Sequence, residues 1–166
     1  MKPFLLLPLA TAALCAAAHA DGPDLPNFAQ VAPGIYRGAA PTEAGLRRLK
    51  AMGVRTLIDL RIERRGQQEE AAWAAALGME RIRLPMGREA PTKKQVETFL
   101  ATLDRAPQAP VFVHCQHGAD RTGAMIGIWR VTRQGWAFDR TYAEMRRYGF
   151  KPFLTALKQS VARRAK

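Results

Sequence analysis

Apolar residues in this chain come in short runs that switch between strand-like and helix-like spacing, with glycines and prolines at the switches. Residues 21–33, with Pro23, Pro26 and Pro33, read as a lead-in loop, and Gly34 to Gly38 as a short strand. Thr42 is placed to cap a helix whose apolar face is Leu46, Leu49 and Met52, with Gly53 just past its end. Val54 to Leu60 predicts a buried strand and Arg61 to Gly66 a charged loop. Gln67 to Leu77 is alanine-rich and helical, and Gly78 stops it. Met79 to Leu84 alternates polar and apolar residues as a weak strand, broken by Pro85.

The second half repeats the rhythm. After a loop at 86–91, Thr92 and Gln95 form a capping box ahead of Val96, Phe99, Leu100 and Leu103 at helical spacing. Pro107 and Pro110 precede the short apolar strand Val111-Phe112-Val113. Thr122 to Gln134 is apolar on most sides, which predicts a central helix. Phe138 to Tyr148 is a further helix, closed by Gly149. Phe153, Leu157 and Val161 recur at four-residue steps in a last helix that ends in cations. Strands alternating with helices imply an α/β fold: one domain with a central, mainly parallel sheet flanked by helices.

Length and charge narrow this picture. At 166 residues the chain suits one domain, and its formal net charge of +12 predicts an anionic partner. Residues 1–20 stand apart. Lys2 is followed by an uncharged apolar stretch from Phe4 to Ala18, and Ala18-His19-Ala20 places small residues at the positions a signal peptidase reads. The expectation is a signal peptide over 1–20, an exported (periplasmic or secreted) domain over 21–166, and loss of Cys15 on cleavage, which leaves Cys115 as the sole thiol. For an exported chain, a phosphorylated substrate outranks nucleic acid as the anionic partner. A basic last helix lying on a membrane surface ranks below docking on its own domain, and the expected state is a monomer.

The chemistry concentrates in Val111-Phe112-Val113-His114-Cys115-Gln116-His117-Gly118-Ala119-Asp120-Arg121-Thr122-Gly123. A buried strand ends, a short loop turns and a helix begins, and the carboxyl ends of strands are where α/β folds bind ligands. The free N–H groups and positive dipole end of the helix favour phosphate there and stabilise a cysteine thiolate. Arg121 can fold back and grip two phosphate oxygens in its planar fork, and Gly118 lets the backbone turn closely around the anion.

Cys, five residues, Arg and then Thr-Gly, with His before the cysteine, resembles the signature of the protein tyrosine and dual-specificity phosphatases. Ile35-Tyr36-Arg37-Gly38-Ala39-Ala40-Pro41 and Thr56-Leu57-Ile58-Asp59-Leu60-Arg61 are similar to segments of their small atypical dual-specificity group, which includes enzymes acting on inositol phosphates. The resemblance implies a phosphatase fold and hydrolysis of phosphomonoesters through a phosphocysteine on Cys115. Arg121 and the loop N–H groups, contributed by Gln116, His117, Gly118, Ala119 and Gly123, would hold the phosphoryl oxygens. Thr122 would hydrogen-bond the cysteine sulfur, and His114 would orient the loop. Neither a metal nor a cofactor is implied.

One part of that pattern is missing. The loop Pro85-Met86-Gly87-Arg88-Glu89-Ala90-Pro91 lacks the aspartate that serves most of the family as general acid. Asp120, directly before the arginine, is the leading replacement, with Glu89 and Asp59 behind it. The rival readings are a phosphate-binding module without turnover and a rhodanese-like sulfurtransferase. Arg37, Arg61, Arg64, Arg65, Arg88 and Lys93 are expected on the strand-exit side, some of them widening the anion site, with Trp73 and Trp129 in the core.

Overall fold

The computed structural model describes residues 22–64 and 66–165. The expected signal peptide, Cys15, Arg65 and Lys166 lie outside the described residues. Five strands, β1 (Ala29–Ala32), β2 (Ile35–Gly38), β3 (Thr56–Asp59), β4 (Glu80–Arg83) and β5 (Val111–His114), form one sheet in the order β1-β2-β5-β3-β4. The β1/β2 pair is antiparallel and the other three are parallel. Six helices surround the sheet: α1 (Glu43–Ala51), α2 (Gln67–Ala76), α3 (Lys93–Asp104), α4 (Asp120–Arg133), α5 (Phe138–Arg147) and α6 (Thr155–Ala162). The α/β fold expected from the periodicity is therefore the observed one.

Strand parity sorts the core into two halves. Ile58, Val111 and Val113 pack with α3, α4, α5 and α6, whereas Leu57 and Phe112 pack with Leu46, Leu49 and Ala74 of α1 and α2. β5 lies between β2 and β3 and is buried on both faces, which explains its unbroken apolar run. The capping box at Thr92 forms as expected, and Thr42 caps α1 by accepting from the Gly45 N–H.

Four segments differ from expectation, the first being α1, where Met52 of the expected apolar face lies past the last turn and is 39% exposed. Part of the lead-in segment is strand β1, whose four residues are too few to show a period and are supported by pairing with β2. The central helix begins at Asp120, two residues early. Phe153 precedes α6 and is 67% exposed, so only Leu157 and Val161 of the expected stripe are core. Trp129 is buried as expected, and Trp73 is half-buried against the α1/α2 core.

A buried charge cluster ties the carboxyl ends of the strands together. Asp59 accepts from Arg61 at 2.9 and 3.1 Å and from Arg81 at 2.5 Å. Glu70 of α2 meets Arg61 at 2.7 Å and Arg81 at 3.0 Å, and His114 Nε2 lies 3.4 Å from Glu70 Oε1. Burial alone would raise the Asp59 pKa, but its bonds to Arg61 and the field of His114 lower it from 3.8 to about 2. Asp59 therefore contributes stability that is present above the ordinary carboxylate range and lost as pH falls from about 4 to about 2. Asp59→Asn leaves the buried Arg61 and the partly buried Arg81 short of a partner and should cost about 3 kcal/mol near neutral pH. In urea melts, its deficit relative to wild type should shrink as pH falls through that window.

Candidate functional site

The loop between β5 and α4 is shaped from behind. The Gln116 carbonyl accepts from the Ala40 N–H at 3.4 Å, the His117 carbonyl from the Asn27 side chain at 3.1 Å, and the Gly118 carbonyl from Arg37 Nη2 at 2.6 Å. With three successive carbonyls held on the sheet side, the loop's N–H groups turn toward its concave side, the arrangement that binds anions. Gly118 adopts φ +67°, and a Cβ there would lie 2.4 Å from the Gly38 carbonyl carbon, so both its conformation and the close approach of β2 require glycine. Asn27 is itself left-handed, at φ 53°, a conformation asparagine tolerates better than most residues. The Asn27 side chain also donates to the Tyr148 carbonyl, joining the loop to the end of α5.

Cys115 is buried at the start of this loop. Its side chain belongs to the α4 half of the core, whereas His114, one residue earlier, faces α2, stacked on Phe112 with ring centroids 5.5 Å apart. Parity thus separates the two side chains. His114 Nε2 lies beside Glu70 of the buried cluster, and neither ring nitrogen has a hydrogen-bond partner among the described residues. The Thr122 hydroxyl is buried without a hydrogen-bond partner among the described residues, so the expected bond to the Cys115 sulfur is not formed. Asp59, Glu70 and His114 approach closely enough to suggest a metal site, but Arg61 and Arg81 occupy both carboxylates, and such a donor set does not fit a cation.

In front of the loop lies a cavity of about 300 Å³. His117, Asp120 and Arg121 of the signature line it, together with Glu63, Arg88, Lys151 and the apolar side chains Ile62, Phe153, Leu154 and Leu157. Arg121 already grips a carboxylate: its Nη1 and Nη2 donate to Glu63 Oε2 and Oε1 at 2.8 and 2.9 Å. Burial works against the guanidinium's charge, but Glu63 and the field of Cys115 outweigh it and hold the Arg121 pKa above the ordinary arginine value. In turn, the hydrogen bond from Arg121 lowers the pKa of Glu63.

The three acid candidates are placed very differently. Asp120 borders the cavity, with Oδ1 accepting from the Lys151 N–H at 2.8 Å. Glu89 is exposed and does not line the cavity. Asp59 is fully buried in its arginine cluster. Of the expected cations, Arg88 does border the cavity, whereas Arg64 and Lys93 are exposed away from it. Arg37 and Arg61 are buried and do not widen the site. Arg37 extends from the middle of a strand into the α4 side of the sheet, and Arg61 turns back onto Asp59.

Sequence reading missed Glu63, Ile62, Lys151 and Phe153. Glu63, Ile62 and Lys151 sit in segments without periodicity, Phe153 was expected on the core face of the last helix and precedes that helix instead, and only the folded chain brings 61–64 and 151–157 to the same cavity. The composition of the 61–66 loop, an isoleucine among charges, was the one available signal.

Comparison with known proteins agrees with this geometry. The sequence profile of a family described as DSP-PTPase phosphatase fused to NAD+ kinase matches residues 20–163. The dual specificity protein phosphatase TpbA of Pseudomonas aeruginosa (strain UCBPP-PA14) is 29% identical over 125 residues, 75% of this chain and 55% of that protein. The inositol diphosphatase SIW14 of Saccharomyces cerevisiae is 29% identical over 143 residues, 80% of this chain and 48% of that protein. The chain thus spans about half the length of these curated relatives. The crystal structure of P. aeruginosa TpbA superposes with a TM-score of 0.73 at 26% identity, covering 92% of each chain.

Because Glu63 occupies the fork of Arg121, an incoming oxyanion has to displace it. Glu63→Gln should bind orthophosphate about two- to fivefold more tightly than wild type in calorimetric titrations, the range expected for a partly exposed ion pair. Unchanged or weaker binding would show that the contact does not compete with the anion.

Proposed function

Since the chain belongs to the DSP-PTPase family of phosphatases, we propose that it hydrolyses phosphomonoesters at Cys115. The observation that carries this reading is the loop whose carbonyls are tied back by Ala40, Asn27 and Arg37, facing an arginine that already holds two oxygens in bidentate fashion. A phosphoryl group seated there replaces the Glu63 carboxylate on Arg121, and the inward N–H groups take its remaining oxygens.

The reaction then runs in two steps. The Cys115 thiolate forms an S–P bond as the P–O ester bond breaks, and the leaving oxygen takes a proton from Asp120. Water then attacks phosphorus, giving its proton back to Asp120, and the S–P bond breaks to release orthophosphate and the thiolate. Asp120 is assigned the proton because it borders the cavity beside Arg121, while Asp59 is committed beneath the sheet ends and Glu89 stands outside. The Thr122 hydroxyl, unpartnered at the start of α4, is the group proposed to meet the sulfur when it leaves phosphorus.

The rim speaks to the substrate. Ile62 and Phe153 are 59% and 67% exposed and both border the cavity, with Arg88 and Lys151 beside them. That combination fits a single phosphate carried on an apolar or aromatic body, as in a phosphotyrosine side chain, better than a densely phosphorylated inositol, whose other phosphates would meet apolar walls. The solved complex of a TpbA variant with phosphotyrosine shows such a ligand on the same fold. Export is proposed from the signal-peptide pattern of residues 1–20, and no nucleic acid or cofactor has a part in the reading.

Phosphate release from a phosphotyrosine peptide should exceed release from inositol hexakisphosphate, and Cys115→Ser should lower it at least about a thousandfold. Asp120→Asn should lower kcat/KM, which reports the first step, about a hundredfold on the peptide and far less on p-nitrophenyl phosphate, whose leaving group needs no proton. Retained phosphate binding without release on any substrate would replace the proposal with a non-catalytic binding module.

A further inference from the structure

Arg37 is fully buried, and two of its guanidinium nitrogens, Nε and Nη1, have no hydrogen-bond partner among the described residues. Its Nη2 donates to the Gly118 carbonyl at 2.6 Å, and the Tyr148 ring faces its Cζ at 4.0 Å. Among the described residues no carboxylate is bonded to it. Glu144 is near enough for its charge to be felt, but both Glu144 oxygens are bonded to Arg130, at 2.9 and 2.6 Å. Burial pulls the Arg37 pKa down to about 10, still far above neutral pH, so the charge persists.

A buried guanidinium without a counter-charge is costly, and an aromatic face and one carbonyl offset only part of that cost. The position of Arg37 shows where the missing charge arises. Arg37 pairs in register with Val113, two residues before Cys115, and it is bonded to Gly118, three residues after it. Val113 and Cys115 share the α4 half of the core, and Arg37 points into the same half, where its Nη2 lies 3.9 Å from a Cβ built on Gly123 of α4. Of the groups whose charge bears on Arg37 (Tyr148 first, then Glu144, Cys115 and Arg130), Tyr148 presents its ring face and Glu144 is bonded to Arg130, which leaves Cys115 as the group of the phosphate loop whose thiolate could balance it. Cys115 thus opens a loop that has Arg121 on its cavity side and Arg37 bonded to its back.

We propose that Arg37 is a positioning residue whose buried charge is the standing counter-charge of the Cys115 thiolate, delivered through the back of the phosphate loop. This rests on the reading of Cys115 as the nucleophile and extends it. Arg121 is committed to Glu63 before substrate arrives and to phosphate afterwards. Arg37 keeps one set of partners throughout, so its effect on the thiol is present in the resting protein.

Two substitutions separate charge from scaffolding in the full chain. Arg37→Gln keeps an amide donor for the Gly118 carbonyl and removes the charge, and Arg37→Lys keeps both. The readout is the pH dependence of Cys115 carboxymethylation by iodoacetate, followed by mass spectrometry of the Cys115 peptide. Arg37→Gln should move the midpoint upward by about one pH unit, while Arg37→Lys stays close to wild type. An unmoved midpoint in Arg37→Gln, or equal shifts in both variants, would reduce Arg37 to a structural hold on Gly118 and overturn the proposal. Arg37→Met is a second neutral variant should the glutamine protein not fold. If neither neutral variant folds, the charge serves the fold rather than the thiolate, and the proposal falls. Alkylation needs no turnover, so a chain inactive on every phosphoester still passes or fails this test.

Discussion

The loop after β5 can direct its N–H groups at one point only if its carbonyls are satisfied on the other side, and much of the surrounding structure meets that demand. Ala40 after β2, Asn27 ahead of β1 and Arg37 within β2 each take one carbonyl of the sequence Gln116-His117-Gly118. Their convergence explains why β2 lies directly beside β5 and why Gly38 and Gly118 touch without side chains between them. Buried backbone groups must be paired, so the segment that pairs them is part of the anion site even though it is about 80 residues away in sequence.

Charge is distributed by the same logic. The chain is strongly basic, yet several of its arginines do not face the cavity. Arg61 and Arg81 neutralise Asp59 and Glu70 in the α1/α2 half of the molecule, and Arg130 neutralises Glu144 on the other side. These pairs lock strand ends and helices to one another. Arg37 lies behind the loop without a carboxylate of its own among the described residues, and Arg121 lies in front of it, paired with Glu63. Net charge therefore indicates an anionic ligand only loosely, and the placement of two arginines says far more.

The cavity adds an apolar component that charge alone does not predict. Ile62 and Phe153 expose large hydrophobic surface where a soluble domain ordinarily covers it, and they do so at the same mouth. Glu63, next to Ile62, bonds Arg121, so the loop that contributes to the apolar rim also carries the carboxylate that occupies the arginine fork.

Much of this was legible in the sequence. Hydrophobic period marked β3, β5 and the helices, because burial on one or both faces leaves a local trace, and the segment from His114 to Gly123 named the loop, its cysteine and its arginine, because strand, turn and helix cap are all local. The short β1 was not legible, since four residues show no period and only pairing with β2 makes them a strand. Nor was the burial of Arg37, which reads as one more surface cation until the sheet covers it, or the meeting of Glu63 and Phe153 at one cavity, which happens only when separate loops fold together. The sequence by itself determined the elements and the signature segment from His114 to Gly123, because those rest on neighbours along the chain. Tertiary structure alone decided which charges are paired, which side chains face the thiol and what forms the rim, because those depend on groups brought together from distant parts of the chain.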